Sequence, residues 1–122
     1  MRSIQLKNVS KQFQGDVIID NITLTVPEGK FFALLGPSGC GKTTILRLIA
    51  GFETVDSGVI SLGDTDITHL PIHERRVNTV FQNYALFPHM TVADNVAYPL
   101  TVRKVPKAER EAKVLRAMDM VQ

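Results

Sequence analysis

Residues 36–43 have the types and the spacing that binding of a phosphate chain requires. They read Gly-Pro-Ser-Gly-Cys-Gly-Lys-Thr, which matches G-x-x-x-x-G-K-[ST]. Glycines let consecutive backbone N–H groups turn toward one point, and a helix starting after the loop adds its dipole and free N–H groups. Lys42 supplies a mobile positive charge for the β- and γ-phosphates, and the Thr43 hydroxyl suits Mg²⁺. The segment therefore predicts a site for a nucleoside triphosphate.

The predicted phosphate-binding loop continues into the first turn of the helix. Its expected cofactor-binding residues are Gly36, Pro37, Ser38, Gly39, Cys40, Gly41, Lys42, Thr43 and Thr44. The phosphate oxygens are expected to accept hydrogen bonds from the backbone N–H groups of Gly39, Gly41, Lys42, Thr43 and Thr44. A glycine-rich turn without chemistry is the alternative. It is disfavoured because the loop falls between an apolar segment and an amphipathic helix, as the mechanism requires.

Strands are predicted before and after this loop. Apolar and polar residues alternate over residues 4–7 and 22–26, the pattern of half-buried strands. Residues 31–35 are apolar without alternation, which predicts a strand covered on both faces in a parallel sheet. Residues 59–62 and 77–81 read as further short strands.

Helices are predicted at three places. An apolar stripe at helical spacing begins near Lys42, and Gly51 is a suitable C-terminal cap. Thr91 with an aspartate three residues later forms a capping-box pattern, which predicts a short helix through about Ala97. A last helix is predicted to begin near Pro106 and to run to the end of the chain without a cap. Its expected buried residues are Val114, Leu115, Met118 and Val121.

Composition and charge restrict the class of protein. The 122 residues are 44% apolar and 21% charged, as in an ordinary globular segment. Residues 1–61 carry six basic and five acidic side chains, and residues 62–122 carry eight and seven. No basic stripe results, so nucleic acid is not an expected partner. The longest apolar run, five residues, is too short to span a membrane. A single cysteine and the absence of a signal-peptide pattern favour the cytoplasm.

Two blocks of sequence together resemble the ATP-binding subunits of ABC transporters. They are residues 36–51 and residues 77–92, the second reading Val-Asn-Thr-Val-Phe-Gln-Asn-Tyr-Ala-Leu-Phe-Pro-His-Met-Thr-Val. The likeness is greatest to the spermidine/putrescine class of bacterial importers and covers residues 4 to about 100. It implies an α/β fold in which a P-loop NTPase core carries an antiparallel β subdomain, here truncated about midway.

The resemblance implies that the chain is the N-terminal part of one ATPase domain, and it assigns the segments of that part. Strands including the β subdomain would occupy residues 1–35, and the phosphate-binding loop with its helix residues 36–51. A strand and the Q-loop would occupy residues 77–90, and the start of a helical subdomain residues 91–122. The last helix has an apolar stripe with no later segment to pack against, which adds to the expectation of a longer domain.

Roles for residues outside the loop follow from the resemblance. Gln82 matches the glutamine that reaches Mg²⁺ or the attacking water, and Phe13 matches the aromatic residue that stacks on adenine. Thr43 and Gln82 are thus the expected metal ligands, and Lys42 and Gln82 the expected catalytic residues. The apolar segment from Tyr84 to Met90 matches the surface that receives the membrane subunits. For Phe13 and for this segment, burial within the protein is the alternative.

The resemblance implies ATP and Mg²⁺ as cofactors and a peripheral position on the inner face of the cell membrane. The implied partners are membrane-spanning permease subunits and a second ATPase subunit. The implied activity is ATP hydrolysis coupled to uptake of a small solute of the polyamine type.

Several motifs of this family are missing from the sequence. No Gly-Gly dipeptide occurs, so the LSGGQ signature is absent, and neither a Walker B Asp-Glu pair nor a switch histidine can be assigned after the loop. We therefore expect this chain alone to bind nucleotide weakly with negligible hydrolysis. A non-hydrolytic nucleotide-binding fragment and a P-loop NTPase outside transport are the alternatives. A GTPase is disfavoured because no Asn-Lys-x-Asp motif, the guanine-recognition motif, occurs in the sequence.

Two other patterns are weaker. Residues 17–20, Val-Ile-Ile-Asp, imitate a Walker B segment but precede the phosphate-binding loop, and we expect a strand ending in a turn. His69 and His73 have the spacing of a zinc pair on a helix. Pro71 lies between them and interrupts such a helix, so a zinc site is disfavoured.

Overall fold

The computed structural model describes residues 2–121, which separate into two compact units between Thr79 and Val80. The first unit contains strands β1 (Ile4–Phe13), β2 (Asp16–Val26), β3 (Ser57–Leu62) and β4 (Thr65–Asp66), helix α1 (Lys42–Ala50) and a 3₁₀ turn (Ile72–Glu74). The second contains helices α2 (Val92–Val102) and α3 (Lys107–Val121). The predicted continuation of the last helix to Gln122 lies outside the described residues.

The four strands form one antiparallel sheet in the order β2-β1-β3-β4. In its register, Ile4 lies opposite both Val26 and Leu62. The core combines one face of this sheet with α1, and its buried residues are Leu6, Val9, Ile19, Ile45, Leu48, Ile60, Leu62 and Ile67. The strands predicted over residues 4–7, 22–26 and 59–62, and helix α1 with its cap at Gly51, are therefore confirmed.

Two of the predicted strands are not formed, one of them the strand expected to lie in a parallel sheet. Residues 31–35 and 77–81 join no strand, and Phe31, Leu35 and Val80 are 98%, 91% and 89% exposed. A central parallel strand is stable only when neighbours bond both of its edges and cover both of its faces. Within residues 2–121 no strand pairs with either segment. For the described chain, the prediction of these strands is wrong, and the structure is a mixed helix and strand fold with an antiparallel sheet.

Residues 17–20 also differ from expectation, because they do not end in a turn but continue within β2. The irregularity lies one residue later, where Asn21 adopts a left-handed φ of 46° beside Asn8 with a φ of 51°. Asn8 Nδ2 donates to Asn21 Oδ1 (3.0 Å), and the N–H of Asn21 donates to Ser10 Oγ (2.9 Å). These side chains satisfy groups that the ladder leaves unpaired, so the strand passes through a bulge without ending.

In the second unit, α2 begins at the predicted capping box. The Thr91 hydroxyl accepts a hydrogen bond from the N–H of Asp94 (3.1 Å). The helix runs past Ala97, where it was expected to end, because Pro99 does not terminate it. The carbonyl of Pro99 accepts the N–H of Arg103 (3.2 Å), which closes the following turn.

The last helix, α3, begins after Pro106 as predicted, but its buried face is narrower than expected. Val114 is buried, whereas Leu115, Met118 and Val121 are exposed. Within this unit α3 packs against α2, and one helix covers only a narrow strip of another. Among the described residues, none of the helices has both the length and the apolar character that crossing a bilayer requires.

Candidate functional site

The predicted phosphate-binding loop is curved and open to solvent. Gly39 and Gly41 have φ values of 81° and 89°, the left-handed conformation that glycine adopts most readily. The N–H of Cys40 donates to the carbonyl of Pro37 (3.4 Å), which turns the chain. Residues 36–40 are all exposed. The loop therefore presents its backbone to any ligand that reaches this surface.

Gly41 fixes the position of the loop on the sheet. A Cβ atom on Gly41 would lie 2.6 Å from Cδ1 of Ile19 and 3.1 Å from the carbonyl oxygen of Ile18, both in β2. The carbonyl of Gly41 accepts the N–H of Ile45 (2.9 Å), the first helical hydrogen bond of α1. Because no side chain fits between Gly41 and β2, the loop and the start of α1 lie directly against the sheet.

The N-terminus of α1 can accept an anion. Gly41 is the N-cap residue, no side chain caps the helix, and no acidic residue lies in its first turn. The N–H groups of the first turn, which include those of Thr43 and Thr44, are therefore left for a ligand at the positive end of the helix dipole. The Thr43 side chain is exposed, which leaves its hydroxyl accessible to a metal ion. This donor set fits a triphosphate with Mg²⁺.

The ammonium group of Lys42 lies inside the curve of the loop. Its Nζ donates to the carbonyls of Gly36 (2.5 Å) and Pro37 (2.6 Å) and lies 3.4 Å from Cys40 Sγ. A Cβ atom on Gly36 would lie 2.6 Å from the same sulfur, so any other residue at this position would require the Cys40 side chain to move. The lysine thus holds the loop curved around its ammonium group, and Lys42 is also the first residue of α1.

Phe13 lies in the same unit as the loop, at the end of β1. Its side chain is 38% exposed and is not among the buried core residues, so the alternative of a core phenylalanine is wrong. Lys11 Nζ lies over the ring at 5.0 Å from its centroid. Part of the ring is therefore accessible, and its stacking role stays a prediction.

Gln82 and the segment from Tyr84 to Met90 belong to the second unit. Gln82 is exposed within a turn and does not end a strand, so that part of the prediction is wrong, while its role stays a prediction. Asn95 organises the segment, because its Oδ1 accepts the N–H of Phe87 (2.9 Å) and its Nδ2 donates to the carbonyl of Phe87 (3.2 Å). Tyr84 and Leu86 are exposed, which leaves an apolar surface on this unit.

Arg75 is a structural residue that the sequence did not reveal. Its buried guanidinium donates to the carbonyls of Leu48 (2.6 Å), Ile49 (3.0 Å), Thr68 (3.1 Å) and Leu70 (2.8 Å). Burial lowers the pKa of Arg75 from its usual value. The carbonyls of Leu48 and Ile49 lie at the C-terminus of α1, so the Arg75 cation stabilises the negative end of the helix dipole. The N-terminus of the same helix carries the loop.

The two histidines of the weaker zinc pattern lie on either side of Pro71 and are both exposed. His73 Nε2 lies 3.6 Å from a carboxylate oxygen of Glu74. Within residues 2–121, no group of three or more histidine, cysteine or acidic residues has a geometry that could hold a metal ion.

Comparison with known proteins identifies the family of the chain. A sequence model of the ABC transporter family matches residues 19–122. The chain belongs to this family. The predicted resemblance, including that to the spermidine/putrescine class, is confirmed.

Three relatives illustrate the similarity. The chain is 58% identical over 118 residues to the spermidine/putrescine import ATP-binding protein PotA of Vibrio vulnificus (strain YJ016), covering 97% of this chain and 31% of the relative. It is 58% identical over 119 residues to PotA of Escherichia coli (strain K12) and 56% identical over 119 residues to PotA of Marinobacter nauticus. Both alignments cover 98% of this chain and 32% of the relative. The chain therefore spans about a third of the length of these curated relatives.

Proposed function

We propose that this chain is the nucleotide-binding part of an importer ATPase, and that its loop binds the triphosphate of ATP. The observation that carries the proposal is the occurrence of three features within one short segment, residues 36–44. They are the left-handed glycines at 39 and 41, the uncapped N-terminus of α1, and the Lys42 ammonium inside the loop. Together they form a concave, positively charged cluster of donors, which suits polyphosphate.

Each residue of the site has a distinct role in this proposal. The phosphate oxygens would accept hydrogen bonds from the backbone N–H groups of Gly39, Gly41, Lys42, Thr43 and Thr44. Lys42 would exchange its loop carbonyls for the β- and γ-phosphates. Thr43 and Gln82 would hold Mg²⁺, which when bound neutralises charge on the β- and γ-phosphate oxygens. Gln82 is neutral, so it can also orient water without adding charge. Phe13 would stack on the base.

The relatives support a role in polyamine uptake. They are named as spermidine/putrescine import ATP-binding proteins, and we propose the same substrate class for the importer of which this chain is part. In that assembly the chain would belong to a P-loop NTPase core that couples ATP hydrolysis to uptake. It would lie on the inner face of the membrane, pair with a second ATPase subunit and contact permease subunits through the segment from Tyr84 to Met90. The exposed apolar side chains of that segment support such a contact.

The 122-residue chain by itself should bind nucleotide and hydrolyse very little. Phosphoryl transfer depends on placed groups that stabilise charge and orient water. The sequence contains no Asp-Glu pair of the Walker B type after the loop and no Gly-Gly signature. Steady-state turnover comparable to that of a complete ATPase would contradict this part of the proposal.

Isothermal titration calorimetry with Mg-ATP tests the proposal. We expect Lys42→Ala to weaken binding by at least about 100-fold, since it removes charge-assisted hydrogen bonds worth about 3 kcal/mol. The matched control is Lys7→Ala, an exposed lysine of β1, which should leave affinity unchanged. Equal affinity of the Lys42→Ala variant and the unmodified chain would show that the site lies elsewhere. A strong preference for GTP would favour a phosphate-loop enzyme outside transport.

A further inference from the structure

The side chain that lies over Phe13 is a buried cation. Lys11 is 9% exposed, whereas the other lysines in the described part of the first unit are half-buried or exposed. Its Nζ lies over the Phe13 ring at 5.0 Å from the centroid. Burial of an ammonium is costly unless its charge is compensated. The buried position of the Lys11 ammonium against one face of the Phe13 ring therefore requires a group that compensates its charge.

Asp56 holds this ammonium in place from the segment before β3. Its Oδ1 lies 3.5 Å from Lys11 Nζ, and its Oδ2 accepts the N–H of Gln12 (2.6 Å). The N–H of Asp56 in turn donates to the carbonyl of Ser10 (3.0 Å). Asp56 is thus hydrogen-bonded to β1 on both sides of Lys11, once through its carboxylate and once through its own N–H, and this places the carboxylate beside the ammonium.

We propose that Lys11, held by Asp56, is a positioning residue for Phe13 in the recognition of the nucleotide base. This inference rests on the proposed function, in which Phe13 stacks on that base. An exposed phenylalanine at a strand end can adopt several rotamers, and binding must then select one of them. An ammonium fixed against one ring face favours a single orientation through the cation–π interaction and leaves the opposite face for the base. Positioning of this kind lowers the entropic cost of binding.

A merely structural role for Lys11 makes a different prediction. If Lys11 and Asp56 only join β1 to the segment before β3, their loss should weaken folding and affect every ligand of the site equally. The same is true of a simple loss of positive charge, which would weaken all polyphosphates. A positioning role instead affects ligands that carry a base and spares those that do not. Inorganic triphosphate, which lacks a base, is therefore the comparison ligand.

The experiment measures the affinities of the 122-residue chain for Mg-ATP and for magnesium triphosphate by calorimetry. We expect Lys11→Met to weaken ATP binding by about 3- to 10-fold and triphosphate binding by less than about 2-fold. Lys11→Arg should restore ATP binding because it keeps the cation over the ring. In a Phe13→Ala background, Lys11→Met should have no further effect on ATP, since the ring it positions is absent.

Two further variants keep the result interpretable. Asp56→Asn retains an acceptor for the N–H of Gln12 but removes the ion pair, and at a half-exposed side chain it should preserve the fold. It should reproduce the selective loss of ATP affinity even if Lys11→Met unfolds. Arg47→Met is the matched control, because it removes a cation 6.0 Å from the ring centroid of Phe52 and an ion pair to Glu53. It should leave both affinities unchanged.

The outcomes separate this inference from the proposed function. If the unmodified chain binds neither ligand, the proposed function fails. Suppose instead that the unmodified chain binds both ligands. If the Lys11 and Asp56 variants then lose affinity for ATP and triphosphate equally, or keep full affinity for both, the positioning role is overturned while the phosphate site stands.

Discussion

Replacement of Arg75 by methionine should destabilise the first unit severely. The guanidinium donates to four carbonyls, and those of Leu48 and Thr68 are in buried hydrogen bonds. Methionine has a similar length but donates nothing, so these acceptors lose their partner at about 1–3 kcal/mol each when buried. Loss of the cation at the end of α1 adds about 0.3–1 kcal/mol.

Part of this loss is offset, because burial of the charged guanidinium is itself unfavourable, as its lowered pKa indicates. We therefore expect a net decrease of about 3–5 kcal/mol in the free energy of unfolding. A folded unit of about 80 residues is stabilised by about 4–12 kcal/mol. The variant should thus be at or near the limit of folding, and the phosphate-binding loop should lose its support with it.

Urea unfolding followed by circular dichroism measures this effect. The matched control is Arg76→Met, the adjacent and exposed arginine, which should change stability by less than about 0.5 kcal/mol. Arg75→Lys should lie between the two, because one ammonium cannot reach all the acceptors of a planar guanidinium. If Arg75→Met is no more destabilising than Arg76→Met, the hydrogen bonds to the helix end contribute nothing and the reasoning is refuted.

Two further predictions concern pH and thiol chemistry. Hydrogen bonds from the side chain and the backbone N–H of Thr68 hold the pKa of Asp66 below its usual value. The contribution of Asp66 to stability is therefore complete well above that usual value and is lost as the pH falls through the lowered pKa. Acid titration of the urea midpoint should show this loss, and Asp66→Asn should flatten the curve below about pH 4; an unchanged curve would contradict the assignment. Alkylation of the exposed Cys40 with a maleimide should abolish ATP binding, because the sulfur lies 3.4 Å from Lys42 Nζ. Mg-ATP should slow the reaction measured by mass spectrometry, whereas equal rates with and without nucleotide would place ATP elsewhere.

Local patterns were sufficient to predict much of this structure. The start of α1 at Lys42, its end at Gly51 and the cap at Thr91 each depend on residues within about one helical turn. The curved conformation of residues 36–41 depends on local residues for the same reason, since its glycines and Lys42 act on neighbouring backbone. Alternation likewise predicted strands of the antiparallel sheet, where one face is buried and the other is open.

The failures concern features that depend on distant groups. Residues 31–35 are apolar enough for a buried strand, but strand formation requires pairing partners that a local pattern does not specify. Arg75 reaches a carbonyl 27 residues earlier in the chain, and Asp56 binds the N–H of a residue 44 positions away. Nothing in the types or spacing of these residues indicates such partners. Long-range polar contacts of this kind were therefore found only in the folded structure.

The most direct test of nucleotide binding at the loop is a titration of the ¹⁵N-labelled chain with Mg-ATP, followed by amide NMR. Hydrogen bonds from backbone N–H groups to phosphate oxygens should shift the amide signals of Gly39, Gly41, Lys42 and Thr43 more than other signals of the first unit. The same signals should move with inorganic triphosphate, because in the proposed function the loop binds phosphate rather than the base. If ATP binds while these amides stay unchanged and others shift, the loop is not the nucleotide site.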